Sequence, residues 1–186
     1  MPHPDPDRVV VFRTRLGWMA ILGADEMLKQ LTFGHGSAER AMAHLDPALL
    51  CGARQGHWNP QLVERLGAYA AGARDDFLDV KVDFRACAFF QRRVLECCRR
   101  IRWGHTVTYA DLAAQAGFPG AARAVGRSMA SNRVPLVIPC HRVIGADGSL
   151  RGFSASGGVH MKRRLLALEG GLPGDPAEAA GVASAS

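Results

Sequence analysis

The sequence predicts an α+β fold in two parts: a small N-terminal β-meander with a helix, and a C-terminal helical part built round a helix-turn-helix. Three observations carry that expectation. Three short β-rich runs, near 8–14, 17–23 and 27–33, are separated by turn-like "RLG" and "GADE", the pattern of a meander. From about residue 85 the apolar residues recur at helical spacing instead. The charge changes at the same point: residues 1–84 hold nine Lys/Arg against eleven Asp/Glu, and residues 85–170 hold fourteen against four. The expected units are therefore 1–84, 85–170 and a disordered tail over 171–186, where "PGDPAEAAGVASAS" is rich in small residues and proline.

In chain order, Asn59-Pro60 reads as an N-cap followed by proline at the first helical position, with Leu62, Leu66 and Tyr69 on one face. "LDVKVDF" alternates Val80, Val82 and Phe84 with polar residues, as a half-exposed strand would. "FFQRRVLECCRRI" is an amphipathic helix that turns Phe90, Val94, Cys97 or Cys98, and Ile101 inward and its arginines outward. Thr108 with Asp111 three residues on marks the next helix start, and Leu112 and Ala116 face inward. "GFPG" breaks that helix, and another begins near Ala121 with Ala122, Val125 and Met129 inward and Arg123 and Arg127 outward. Helix, glycine-containing turn and arginine-bearing second helix make a helix-turn-helix pattern. A last helix is expected from about His160 to Leu168, stopped by Gly170-Gly171 and Pro173.

The composition narrows the function classes. With 186 residues, 48% of them hydrophobic and 22% charged, the chain can bury a sizeable core. No run is long and apolar enough to span a bilayer, and "MPHPDPDR" lacks a secretory pattern, so a soluble, cytoplasmic protein is expected. Five cysteines, Cys51, Cys87, Cys97, Cys98 and Cys140, are an odd number without framework spacing, which fits a reduced chain. Zinc-site spacing is absent, so neither a metal nor a cofactor is expected. The basic second half points to a polyanion, with nucleic acid ahead of the alternative, a merely solvated arginine-rich face. Ala121, Ala122, Ala124, Gly126, Ser128 and Ala130 make the second helix of the motif almost bare of base-reading groups. Such a helix suits close approach in a narrow groove, by shape and phosphate contact.

"VPLVIPCHRVIG" carries the chemistry. An apolar run, expected as a buried strand, breaks at Pro139 and presents Cys140, His141 and Arg142 in succession. A nucleophilic cysteine needs a base or a positive field to form its thiolate. Neighbours on a strand point to opposite faces, so His141 could serve Cys140 only if the chain turns there, and then more readily through a water. Glu169 is the carboxylate available to orient the imidazole. A core cysteine beside a surface histidine is the other reading of the same letters.

"IPCHRV", "TYADLAAQAG", "AARAVGRSMASN" and "KRRLLALEG", in this order and at these separations, resemble the O6-alkylguanine-DNA alkyltransferase (methylated-DNA–protein-cysteine methyltransferase) family. The resemblance is strong over about 85–170. It implies an N-terminal ribonuclease H-like scaffold, and a C-terminal winged-helix-like unit that binds double-stranded DNA in the minor groove and extrudes the alkylated base. It implies that Cys140 accepts the alkyl group irreversibly and once, that His141 backed by Glu169 takes the thiol proton through water, and that Tyr109 donates toward guanine N3. Asn132 would brace the active-site turn, Arg123 would fill the base stack, and Arg127, Ala121 and Ala122 would lie on DNA. Met129 would receive the alkyl group, and the backbones of Cys140 and Val143 would meet the guanine amino group. The loop "GFSASGG" is two residues longer than is usual there, so the donor to guanine O6 falls on Ser154 or Ser156, with Ser156 preferred because it precedes Gly157 and Gly158. Arg133 stands where the family usually has proline, and the N-terminal zinc ligands of some animal members are absent. The substrate implied is O6-methylguanine in duplex DNA, O4-methylthymine being open, and the protein is expected as a monomer without a membrane partner.

Three rival functions fit less of the sequence. A non-catalytic alkyltransferase-like binder would have replaced Cys140. A DNA-binding regulator leaves "PCHRV" without a purpose. A Cys-His hydrolase has no need of the basic helices.

Overall fold

A computed structural model describes residues 6–170; the tail expected over 171–186 lies outside them. Strands β1 (Arg8–Thr14), β2 (Gly17–Ala24) and β3 (Met27–His35) form the antiparallel meander, pairing Phe12 with Met19 and Ile21 with Leu31. The first hairpin is tied by Thr14, whose hydroxyl accepts from Leu16 N–H and donates to the Gly17 carbonyl.

Three elements after β3 were not foreseen. Helix α1 (Ala38–Ala43) starts at Ser37 and α2 (Pro47–Leu50) at Asp46, each cap accepting a backbone N–H of the first turn. Strand β4 (Arg54–Gln55) then adds to β1 in parallel. Helix α3 (Pro60–Ala70) begins as the sequence predicts: Asn59 Oδ1 accepts from Leu62 N–H at 3.0 Å, and Leu62, Leu66 and Tyr69 are buried. The strand expected over "LDVKVDF" shortens to β5 (Lys81–Val82), parallel to β3. Phe77 before it sits at φ +48°, a conformation no strand holds. The sheet order is β4-β1-β2-β3-β5.

The second part is mostly helical: α4 (Phe89–Cys98), α5 (Tyr109–Gln115), α6 (Ala122–Ala130) and α7 (Gly158–Leu168). Strands β6 (Val107–Thr108) and β7 (Val143–Ile144) form a short parallel pair. Thr108 caps α5, accepting from Asp111 N–H. Cys98 is buried and Cys97 half-buried; all five cysteines are free thiols. One apolar core runs through both parts, from Met19, Leu31 and Tyr69 to Val94, Leu112, Val137 and Leu165. No helix of the described residues is long and apolar enough to cross a membrane.

The expected strand over "VPLVI" is absent. Val134–Ile138 is a compact buried turn in which Ile138 N–H reaches the Val134 carbonyl at 2.9 Å and Leu136 adopts φ +72°. Pro135 has no N–H to give a sheet ladder, and Asn132 supplies the loop's hydrogen bonds from its side chain instead.

Candidate active site

Pro139 decides where the thiol goes. With φ −80° and ψ 65° it forms an inverse γ-turn, in which Cys140 N–H donates to the Ile138 carbonyl at 2.8 Å. The chain then winds into a single 3-10 turn, Cys140–Arg142. A tight turn, unlike a strand, lets successive side chains diverge without being sent to opposite faces of a sheet. Cys140, His141 and Arg142 are all buried here.

Asn132, at the end of α6, fastens this turn. Its Oδ1 accepts from Val134 N–H at 3.1 Å, and its Nδ2 donates to the Ile138 carbonyl at 2.8 Å and toward Cys140 Sγ at 3.3 Å. The contact with sulfur goes beyond the backbone bracing expected of it.

Below the turn lies a charged network. His141 Nε2 is 2.9 Å from Glu169 Oε1, and Arg142 donates to both Glu169 oxygens at 2.9 and 3.0 Å. Burial alone would oppose the Glu169 charge, but the bonds from His141 and Arg142 outweigh it and hold the carboxyl at about 2. An ionised carboxylate only accepts, so Nε2 carries the hydrogen and Nδ1 is the basic nitrogen. Nδ1 is buried and has no hydrogen-bond partner among the described residues. Desolvation pushes the imidazole pKa below its ordinary value, keeping His141 neutral and able to take a proton. Desolvation likewise raises the Cys140 thiol, partly offset by Asn132 and by the charge of Lys162. The resting sulfur is therefore a protonated thiol beside a neutral base.

Sequence reasoning missed four members of this site. Tyr69 OH donates to Glu169 Oε1 at 2.5 Å and lies 3.4 Å from His141 Nε2. Asp76 pairs with Arg142 at 2.9 Å. Arg142, only 1% exposed, had been noticed beside Cys140 but given no role. Lys162 is fully buried, donating to the Val143 and Leu150 carbonyls at 2.6 Å each, and desolvation lowers it to about 8. Its signal was present: Lys162, Leu165, Leu166 and Glu169 share one helical face.

Above the thiol is a cavity of about 760 Å³, lined by Tyr109, Ala122, Arg123, Met129, Cys140 and Ser154 among others. Ala122, expected inward, stands half-buried on the cavity wall because the helix faces the cavity there and not the core. Burial raises the Tyr109 phenol, so it stays a neutral donor. Arg123 and Arg127 are exposed, and Ala121 is the N-cap residue just before α6. Val143 is buried behind the thiol, its carbonyl on Lys162. Of the two serines, Ser154 lines the cavity, whereas Ser156, the one preferred from the sequence, and Gly157 lie against Gly34 and Met161.

The buried Cys140 thiol thus lies at the floor of a cavity walled by α5 and α6, the two helices expected to form the helix-turn-helix. The model of the 6-O-methylguanine DNA methyltransferase DNA-binding domain matches residues 89–171. A methylated-DNA–protein-cysteine methyltransferase of Mycolicibacterium paratuberculosis is 50% identical over 107 residues, and the match spans 58% of this chain and 62% of that relative. The enzyme of the same name from Mycobacterium bovis is 44% identical over 119 residues, 61% of this chain and 70% of its own. The crystal structure of Mycobacterium tuberculosis OGT in complex with DNA superposes with a TM-score of 0.72 at 33% identity, covering 88% of this chain and 92% of that one. The Pyrococcus kodakaraensis O6-methylguanine-DNA methyltransferase, at 23% identity and a TM-score of 0.66, shares the fold. The chain belongs to the methylated-DNA–protein-cysteine methyltransferase family.

Proposed function

We propose that the protein repairs O6-alkylguanine in duplex DNA by moving the alkyl group to Cys140 in one irreversible step. The observation that carries this reading is the Cys140 thiol at the cavity floor, bonded by Asn132 and backed by the His141–Glu169 pair. His141 Nδ1 takes the thiol proton through a water, Sγ attacks the alkyl carbon, and the C–O6 bond breaks. Tyr109 donates a hydrogen bond toward guanine N3, relieving the negative charge that develops on the base as the C–O6 bond breaks. Met129 faces the alkyl group, the backbones of Cys140 and Val143 meet the guanine amino group, and the Ser154 backbone donates to O6. A soft sulfur held in line suits displacement at carbon. The target atom is hidden in a duplex, so the base must be extruded, at a cost lowered by its poor pairing. Arg123 fills the vacated stack while Arg127, Ala121 and Ala122 lie along the groove. O4-methylthymine is a second candidate substrate.

The rest of the reading is of a monomeric cytoplasmic protein. A ribonuclease H-like scaffold occupies 1–84 and a winged-helix-like acceptor unit 85–170, with the tail beyond. The test is to incubate the protein with a duplex carrying radiolabelled O6-methylguanine and map the label. About one label per molecule is expected, on Cys140, and none on Cys140→Ala. Repeated turnover, or binding without transfer, refutes the reading.

A further inference from the structure

Two exposed arginines line the Cys140 cavity, and they come from separate pieces of chain. Arg123 belongs to the first turn of α6, and Arg151 to the loop between β7 and α7. They are the only cations lining it among the described residues, and no carboxylate lines it.

Arg151 is held in an unusual way. Its φ is +52°, in the left-handed region that a residue with a side chain occupies only when its surroundings impose it. The loop supplies that constraint. Asp147 Oδ1 accepts from Ser149 N–H and Oγ–H at 3.1 and 2.6 Å, and Gly145 N–H reaches the Ser149 carbonyl at 2.8 Å. The arginine stem then lies across Gly145 so closely that a Cβ there would stand 2.9 Å from Arg151 Nε. Among the described residues the guanidinium is pinned only by Asp147 Oδ2 at 3.1 Å, in a pair whose side chains are 58% and 60% exposed. Such a pair contributes little and yields readily to a better anion.

We propose that Arg151 binds the phosphodiester beside the extruded nucleotide, exchanging Asp147 for a phosphate. The assignment rests on the base-extruding function proposed above. Extrusion carries the base into the cavity while the sugar-phosphate chain stays at the rim. Arg123 is then committed to the base stack, and Arg127, a turn further on, is not among the residues that line the cavity. The wall made by the 145–154 loop meets the backbone with Arg151, whose forked donors match two phosphate oxygens. The strained backbone aims the side chain at the mouth.

Two variants of the full chain separate charge from conformation. Arg151→Asn removes the cation but tolerates positive φ, and Arg151→Lys keeps it. Affinity for an O6-methylguanine duplex is measured between about 50 and 200 mM salt, in a Cys140→Ala background so that the complex does not react. The slope of log K against log salt should shrink by about one unit in Arg151→Asn and be retained in Arg151→Lys. With Cys140 restored, Arg151→Asn should lose more rate on duplex than on free O6-methylguanine base. An unchanged slope in Arg151→Asn, or an equal fall in Arg151→Lys, overturns the phosphate assignment. Label transfer to Cys140 that persists in that case keeps the proposed function standing; its absence from the unaltered protein refutes that function instead.

Discussion

At the scale of single residues, the candidate acceptor and the groups beside it were legible through the family resemblance, since spacing alone left their arrangement open. Cys140, His141, Asn132 and Glu169 lie together as that resemblance implied. Tyr69 was not legible in this role, since the sequence marks it only as one more apolar position of a helix. A contact across a hundred residues, Tyr69 to Glu169, is made by the packing of the whole chain. Removing that donor tests whether it matters. Tyr69→Phe leaves the charged Glu169 one hydrogen bond short, a loss of about 1.5–3 kcal/mol, and we expect a roughly ten- to hundredfold slower transfer in single-turnover kinetics. The pH profile tests His141. Burial disfavours its cation and lowers its pKa, and the base acts only when unprotonated. The transfer rate should therefore fall at a lower pH than an ordinary imidazole would give. A midpoint at or above the ordinary histidine value of about 6.5 would contradict a desolvated base.

At the scale of elements, caps and periodicity predicted α3 to α7 well, and the failures are instructive. "VPLVI" has the composition of a core strand, but its proline and the Asn132 side chain turn it into a knot of buried backbone. "LDVKVDF" alternates correctly, yet the turn that opens at Phe77 (φ +48°) runs to Val80, and only Lys81–Val82 pair as a strand. Both outcomes depend on hydrogen bonds from outside the segment, which periodicity does not encode. Helix α3 gives the cleanest test, because Asn59 both caps it and sits at φ +45°. Asn59→Gly should cost a few tenths of a kcal/mol, since glycine accepts the angle. Asn59→Ala should cost about 1–2 kcal/mol through the lost cap and the strained backbone. Urea unfolding distinguishes them, and equal losses would mean that the angle does not matter.

At the scale of the whole molecule, Glu169 joins the two parts: Tyr69 reaches it from the N-terminal half, and His141 and Arg142 from the C-terminal half. Glu169→Gln leaves the buried Arg142 with Asp76 as its one carboxylate partner among the described residues, beside the Ile101 carbonyl, and we expect a loss of about 3–5 kcal/mol, read as a lower urea midpoint. The sign with pH follows from the depressed carboxyl. Held at about 2 in the folded chain against about 4.3 in an unfolded one, it stabilises fully above the ordinary value. That stabilisation fades as pH falls toward 2. A charge map of the sequence announced the basic half but could not say which arginines are surface and which, like Arg142, are interior. The small side chains of α6 reach further still. On the proposed reading, a helix that learns nothing of base order treats every stretch of duplex alike, so recognition waits until a base has already left the stack. The protein inspects by opening and not by reading, and its Cys140 thiol meets a candidate only after that candidate has come to it.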